Sequence, residues 1–142
     1  MPDNVLIAFD GSPLSERALA YAIENFPKAT LTAIYVINPI DSIMDVKAGG
    51  LPIATDWYEN AQEHATKTLT TATELAAAHD IELNTVTEVG RPARVILEYA
   101  NDHGIDQIVM GSHGREGIDR TFLGSVAETV TRRARIPVTI IG

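Results

Sequence analysis

The sequence predicts a single doubly wound α/β domain over residues 1–142, a five-stranded parallel sheet with helices on both faces. Three observations predict it. Short apolar runs alternate with segments whose apolar residues recur at helical spacing, in the series β-α-β-α-β-α-β-α-β. The runs "VLIAF", "IVM" and "VTII" are apolar at nearly every position, as strands covered on both faces are. A chain of 142 residues with no internal repeat, low-complexity stretch or interdomain linker suits one core.

The first strand is "NVLIAF", stopped by the turn residues Asp10-Gly11-Ser12. Pro13 suits a first helical position with Ser12 as the N-cap before it. Ala18, Leu19, Ala22, Ile23 and Phe26 then mark one helical face. "ATLTAIYVI" is the second strand, ended by Asn38-Pro39. Residues 39–53 hold Gly49-Gly50 and Pro52 and read as a mobile loop. From Asp56 to His79, Ala61, Ala65, Leu69, Ala72 and Leu75 predict one long amphipathic helix. "IELNTVTEV" alternates as a strand, and "GRPARVILEYANDHG" is a helix with Pro92 near its start and Gly104 past its end. "DQIVMG" is a buried strand, "SVAETVTRRA" a helix and "PVTIIG" the last strand. Crossovers between parallel strands are right-handed. Ligands of such sheets bind outside the carboxyl ends of the strands, where the winding reverses. Two strand ends stand out, "FDGS" after the first and "MGSHG" after the fourth.

Composition narrows the function. Formal net charge is −8 and the pI is near 4.8, which argues against a nucleic-acid partner, since that needs a basic footprint. Lysine occurs only at Lys28, Lys47 and Lys67, and arginine supplies the other cations. An acidic, lysine-poor surface suits a high-salt cytosol, or is simply what keeps the chain soluble. There is no cysteine, so disulfides and thiolate metal sites are excluded. No apolar run reaches the roughly 18 residues a membrane span needs. The N-terminus lacks a basic n-region and its apolar run stops at Asp10, so it reads as a strand rather than a signal peptide. A cytoplasmic protein without a membrane partner is expected.

The chemistry concentrates in "IVMGSHGREGIDRTFLGSVAETV", residues 108–130. A strand, a glycine-rich loop and a helix N-terminus make an anion site, because glycines let the backbone approach and free N–H groups point at the ligand. Gly111 and Gly114 bracket the turn, nine residues follow, and Gly124-Ser125 opens the helix. Arg115 and Arg120 lie in the span and can neutralise phosphate. A purely structural account is also available: Ser125 and Glu128 form an S-x-x-E capping box, and Gly124 eases the entry to the helix. There is no G-x-x-x-x-G-K-[ST] and no lysine after Lys67, so a P-loop ATPase lacks its usual lysine. No G-x-G-x-x-G follows the first strand and no G-x-S-x-G occurs, which argues against a standard dinucleotide site and an α/β-hydrolase.

At these residues the chain resembles the universal stress protein family, in its ATP-binding branch. That branch carries G-x-x-G, nine residues, then G-[ST]. Gly111-Ser112-His113-Gly114, the nine residues Arg115 to Leu123, and Gly124-Ser125 match it. "VLIAFDGSPLSERAL", "VGRPARVILEYA" and "GSVAETVTRRARIPVTII" extend the likeness along nearly the whole chain, with residues 39–53 the least similar part. The resemblance implies strand order 3-2-1-4-5, so that Asp10 and Gly111 face one crevice. It implies ATP as ligand, with Mg²⁺ as a possible counter-ion of the nucleotide and no metal site of the protein's own. Asp10 then contacts the ribose or adenine side with Ala8 beside it, and Val36 and Met110 border the base. Gly111, His113, Gly114, Gly124, Ser125 and Val126 surround ribose and phosphates. Arginine is common at the position of His113, which meets a phosphate or ribose oxygen or faces solvent. Asp10-Gly11-Ser12 is a good turn whatever binds there, and Val36 and Met110 also suit the core.

The resemblance further implies a homodimer through the last strand, Pro137 to Gly142. "PVTIIG" is apolar on both faces with no charge after Pro137. Antiparallel pairing with its copy about a two-fold axis would cover such an edge. The function expected is an ATP-binding regulatory protein of the stress response. One alternative is a slow ATPase or phosphotransferase in which Asp10 or His113 positions water. The sequence offers no evident catalytic pair for it, and the H-x-G-H of adenylyl-transferring relatives of this architecture is absent, His113 being followed by Gly114-Arg115. The other alternative is a nucleotide-free dimeric interaction module, against which the intact glycine signature argues.

Overall fold

The computed structural model describes residues 1–40, 54–113 and 123–142. Its elements follow the expected alternation: β1 (Asn4–Ala8), α1 (Pro13–Asn25), β2 (Thr30–Ile37), α2 (Ala54–Ala77), β3 (Leu83–Val89), α3 (Pro92–Asp102), β4 (Gln107–Gly111), α4 (Ser125–Arg133) and β5 (Val138–Ile141). Most of the expected loop 39–53 lies outside the described residues, as do Gly114, Arg115 and Arg120.

All strand pairs are parallel, and the order is β3-β2-β1-β4-β5. The chain winds outward from β1 through β2 to β3, then returns to lay β4 against the other side of β1. Val5 pairs with Gln107 and Ile7 with Val109. The winding therefore reverses between β1 and β4, and their carboxyl ends lie side by side.

Alternation along the strands splits the core in two. Val5, Ile7 and Phe9 join Leu31, Ala33, Val109 and the apolar faces of α1 and α2 in one cluster. Leu6, Ile34, Ile108 and Met110 join Ile96, Ala100, Ala127 and Val130 of α3 and α4 in the other. Val5, Leu6, Ile7, Ile108 and Val109 are wholly buried. Each contributes about 1.5–3 kcal/mol relative to an exposed position. The run "VTII" departs from the expectation of burial on both faces: every residue of β5 is only partly buried. The cause is its place at the sheet edge, where β4 is its sole neighbour among the described strands.

Local chemistry sets the helix ends. Ser12 caps α1, its hydroxyl accepting from the Ser15 N–H at 3.2 Å, and Pro13 takes the first helical position, as expected. The helix α3 closes with the Ile105 N–H bonded to the Ala100 carbonyl and Gly104 at φ 63°. The helix α2 ends the same way, with the Ile81 N–H on the Ala76 carbonyl. There, however, Asp80 adopts the left-handed conformation, at φ 59°. At the amino end of the sheet, the Asp106 carboxylate accepts from the Asp3 and Asn4 N–H groups at 3.0 and 2.9 Å, tying the start of β1 to the start of β4.

Candidate functional site

The carboxyl ends of β1, β2 and β4 carry the residues expected to border a base. Ala8, Val36, Met110 and Val126 all belong to the cluster between the sheet and the α3–α4 layer. Met110 is buried, whereas Ala8, Val36 and Val126 are partly exposed. Sheet alternation alone puts Ala8 and Val36 on this face, because Leu6 and Ile34, two residues earlier, already face it. Val126, in the first turn of α4, packs against the same cluster.

Asp10 lies just past β1, separated from Ala8 by Phe9. Its Oδ1 accepts from the Ser12 N–H at 2.9 Å, while Gly11 takes φ 84°. This is a side-chain-stabilised turn that delivers the chain into α1. A Cβ on Gly11 would sit 3.3 Å from the Thr68 methyl of α2, so the turn is also packed from outside.

Two glycines of the loop signature have packing reasons of their own. A Cβ on Gly111 would lie 2.7 Å from the Leu14 Cβ, so only glycine lets β4 end against the first turn of α1. A Cβ on Gly124 would lie 2.7 Å from the Ser112 carbonyl oxygen. The Gly124 N–H donates to that same oxygen at 2.7 Å. The described bases of the loop are therefore clipped together by Ser112. Its own N–H donates to the Ile141 carbonyl at 2.7 Å, extending the β4–β5 ladder by one rung. Its hydroxyl lies 3.1 Å from His113 Nδ1. Sequence reasoning passed over Ser112. The available signal was its place directly after the first glycine of a loop that must close on itself.

The capping box expected at Ser125 and Glu128 is not formed. The first helical hydrogen bond runs from the Glu128 N–H to the Gly124 carbonyl at 2.8 Å, so Gly124 is the N-cap and Ser125 the first helical residue. Glu128 is then one position too far along to reach back. It pairs with Arg132 at 3.3 Å instead. Among the described residues no side-chain cap bond forms at the start of α4, and Ser125 is exposed there. The N–H groups of this first turn lie at the positive end of the helix dipole, where an anion is favoured. Gly111, His113, Gly124, Ser125 and Val126 thus gather around one helix start. Ala8, Asp10, Val36 and Met110 line the adjoining strand ends. Gly114 falls outside the described residues. Among those residues, no three His, Asp or Glu side chains gather to hold a metal ion. None of their helices is long and apolar enough to cross a membrane.

An open parallel sheet wound both ways from β1 defines a doubly wound α/β protein, the class whose ligands bind outside the carboxyl ends of the strands. Comparison with known proteins narrows the class. The chain belongs to the universal stress protein family, whose sequence profile matches residues 1–142. The universal stress protein MJ0531 of Methanocaldococcus jannaschii is 34% identical over 141 residues, covering 97% of this chain and 81% of that relative. The solved structure of the hypothetical protein MJ0577 superimposes with a TM-score of 0.81 at 25% identity, over 98% of this chain and 94% of the other. That protein belongs to the same organism. A universal stress protein crystallised in complex with cAMP aligns at a TM-score of 0.68 and 25% identity, over 99% and 97% of the two chains.

Proposed function

We propose that this chain is an ATP-binding regulatory protein of the stress response, a single domain that works as a homodimer. The nucleotide lies across the carboxyl ends of β1 and β4. Its base borders Val36 and Met110, and Asp10 contacts the ribose or adenine side with Ala8 beside it. Gly111, His113, Gly114, Gly124, Ser125 and Val126 surround its ribose and phosphates. Mg²⁺ would travel with the triphosphate. One observation carries the reading: among the described residues α4 begins without a side-chain cap, and Val126 in its first turn packs on the same cluster as Ala8, Val36 and Met110. The relative crystallised with cAMP supports nucleotide as the class of ligand. The lack of a lysine after Lys67 favours holding ATP over cleaving it. Pairing of β5 edges supplies the dimer.

Ser125→Asp tests the placement, because its two effects have opposite signs. A carboxylate in the first turn of α4 stabilises the helix by about 0.3–1 kcal/mol through the dipole. The same charge repels a phosphate. The expected result is a melting temperature at or above that of the wild type, with ATP binding lost in calorimetric titration. Unchanged ATP affinity would overturn the placement. A wild-type protein that neither co-purifies with nucleotide nor binds ATP, AMP or cAMP on titration would overturn the function.

A further inference from the structure

We infer that Ser112 is a positioning residue for the phosphate end of this site: its hydroxyl fixes the His113 imidazole so that an Nε2–H donor faces the start of α4. The inference rests on the nucleotide-binding reading above. Ser112 Oγ lies 3.1 Å from His113 Nδ1. On the far edge of the ring, Cδ2 lies 3.7 Å from the point a Cβ on Gly124 would occupy, and Nε2 is bonded to Cδ2. The imidazole therefore spans from the Ser112 hydroxyl to the N-cap of α4. Ser112 is itself held on both sides, its N–H by Ile141 and its carbonyl by Gly124, each at 2.7 Å.

Neutral imidazole carries one proton, and the partner of Nδ1 decides where it sits. If Nδ1 kept the proton, Nε2 would be an acceptor and would turn a lone pair, not a donor, toward an anion. With the Ser112 hydroxyl donating to Nδ1, the proton lies on Nε2. That N–H and the first N–H groups of α4 then converge as donors, which is the chemistry of a phosphate oxygen and not of a neutral nucleoside. Gly124 is needed for the arrangement as well, because a Cβ there would meet the Ser112 carbonyl oxygen at 2.7 Å.

The test is calorimetric titration of ATP and of adenosine into the wild type, Ser112→Ala, His113→Gln and the double variant. Ser112→Ala keeps both backbone bonds, so the fold, checked by thermal melting, is retained. It is expected to weaken ATP about three- to ten-fold, the effect of one hydrogen bond, and to leave adenosine unchanged. Glutamine keeps a donor near the Nε2 position without needing the serine, so Ser112→Ala should cost nothing in the His113→Gln background. Nitrogen NMR of labelled histidine should show the Nε2–H tautomer of His113 in the wild type and a mixture in Ser112→Ala. Undiminished ATP binding by Ser112→Ala, an equal loss for adenosine, or an Nδ1–H tautomer in the wild type would overturn the inference alone. A wild type that binds neither ligand would overturn the nucleotide reading and this inference with it.

Discussion

Replacing Gly124 with alanine separates packing from backbone freedom. Gly124 has φ −62° and ψ 156°, a conformation open to every residue, so alanine meets no torsional penalty there. On entropy alone the change should stabilise the fold by about 0.4–1 kcal/mol, because the unfolded chain loses freedom. The geometry predicts the reverse. The new Cβ would fall 2.7 Å from the Ser112 carbonyl oxygen, closer than real contacts allow, and the neighbour is backbone, which cannot swing aside. Relief requires Gly124 and Ser112 to part, which breaks their 2.7 Å hydrogen bond. A lost bond with a poorly satisfied carbonyl costs about 1–3 kcal/mol, leaving a net loss of roughly 1–2 kcal/mol after the entropic gain. At about 2.1 cal/mol/K of unfolding entropy per residue, a chain of 142 residues loses about 3 °C per kcal/mol. Gly124→Ala should therefore melt about 3–7 °C lower, with a matching fall in urea midpoint and an unchanged m-value. Gly104→Ala is the contrasting control. It has nothing within 4 Å but sits at φ 63°, so its cost is torsional only. A Gly124→Ala protein as stable as the wild type, or more so, would refute the account of the loop base.

Three other changes have clear signs. Ser12→Ala removes the α1 cap from a buried position and should cost about 1 kcal/mol in urea unfolding. Asp80→Gly should raise stability by about 0.5 kcal/mol, measured the same way, because it relieves a non-glycine residue at φ 59° at the end of α2. Pro137 and Ile141 turn their carbonyls toward β4, accepting from Ile108 and Ser112, so the intervening Ile140 directs its N–H to the open edge of β5. Ile140→Pro should thus leave the β4–β5 ladder intact and convert a β5-paired dimer to monomer in light scattering; an unchanged mass would reject pairing through β5.

Much of the fold was legible because its causes are local. Ser12 before Pro13, and Gly104 after α3, act within one turn of chain, and both helix ends fell where those residues put them. Ala8, Val36 and Met110 do share one cluster, but their joint placement came with family resemblance and not from the pattern of the strands. Strand order was not contained in the periodicity and came only with family resemblance. The places where reading failed have tertiary or register causes. The S-x-x-E pattern at Ser125 is genuine, but the helix begins with Gly124 as its cap, and a shift of one position sends Glu128 to Arg132. Asp80 occupies a position where glycine is usual, so no glycine marks the end of α2. "VTII" has the composition of a buried strand while lying at an edge. Gly111 and Gly124 were recognised as significant for approach to a ligand, yet the groups that exclude a side chain there are Leu14 and the Ser112 carbonyl.

The bond from the Gly124 N–H to the Ser112 carbonyl carries a consequence for how such a chain can change. It fastens the two bases of the glycine loop to each other, one at the end of β4 and the other at the start of α4. The two described ends of the loop meet at this buckle. Closing a longer loop across fixed ends is inexpensive, about 0.6 kcal/mol for each doubling of length. Residues inserted or exchanged between the bases can remodel what the loop offers a ligand without asking the sheet or the helix to move. Site and framework are thus separately heritable: one can drift while the other is held, with a single peptide unit as the boundary between them.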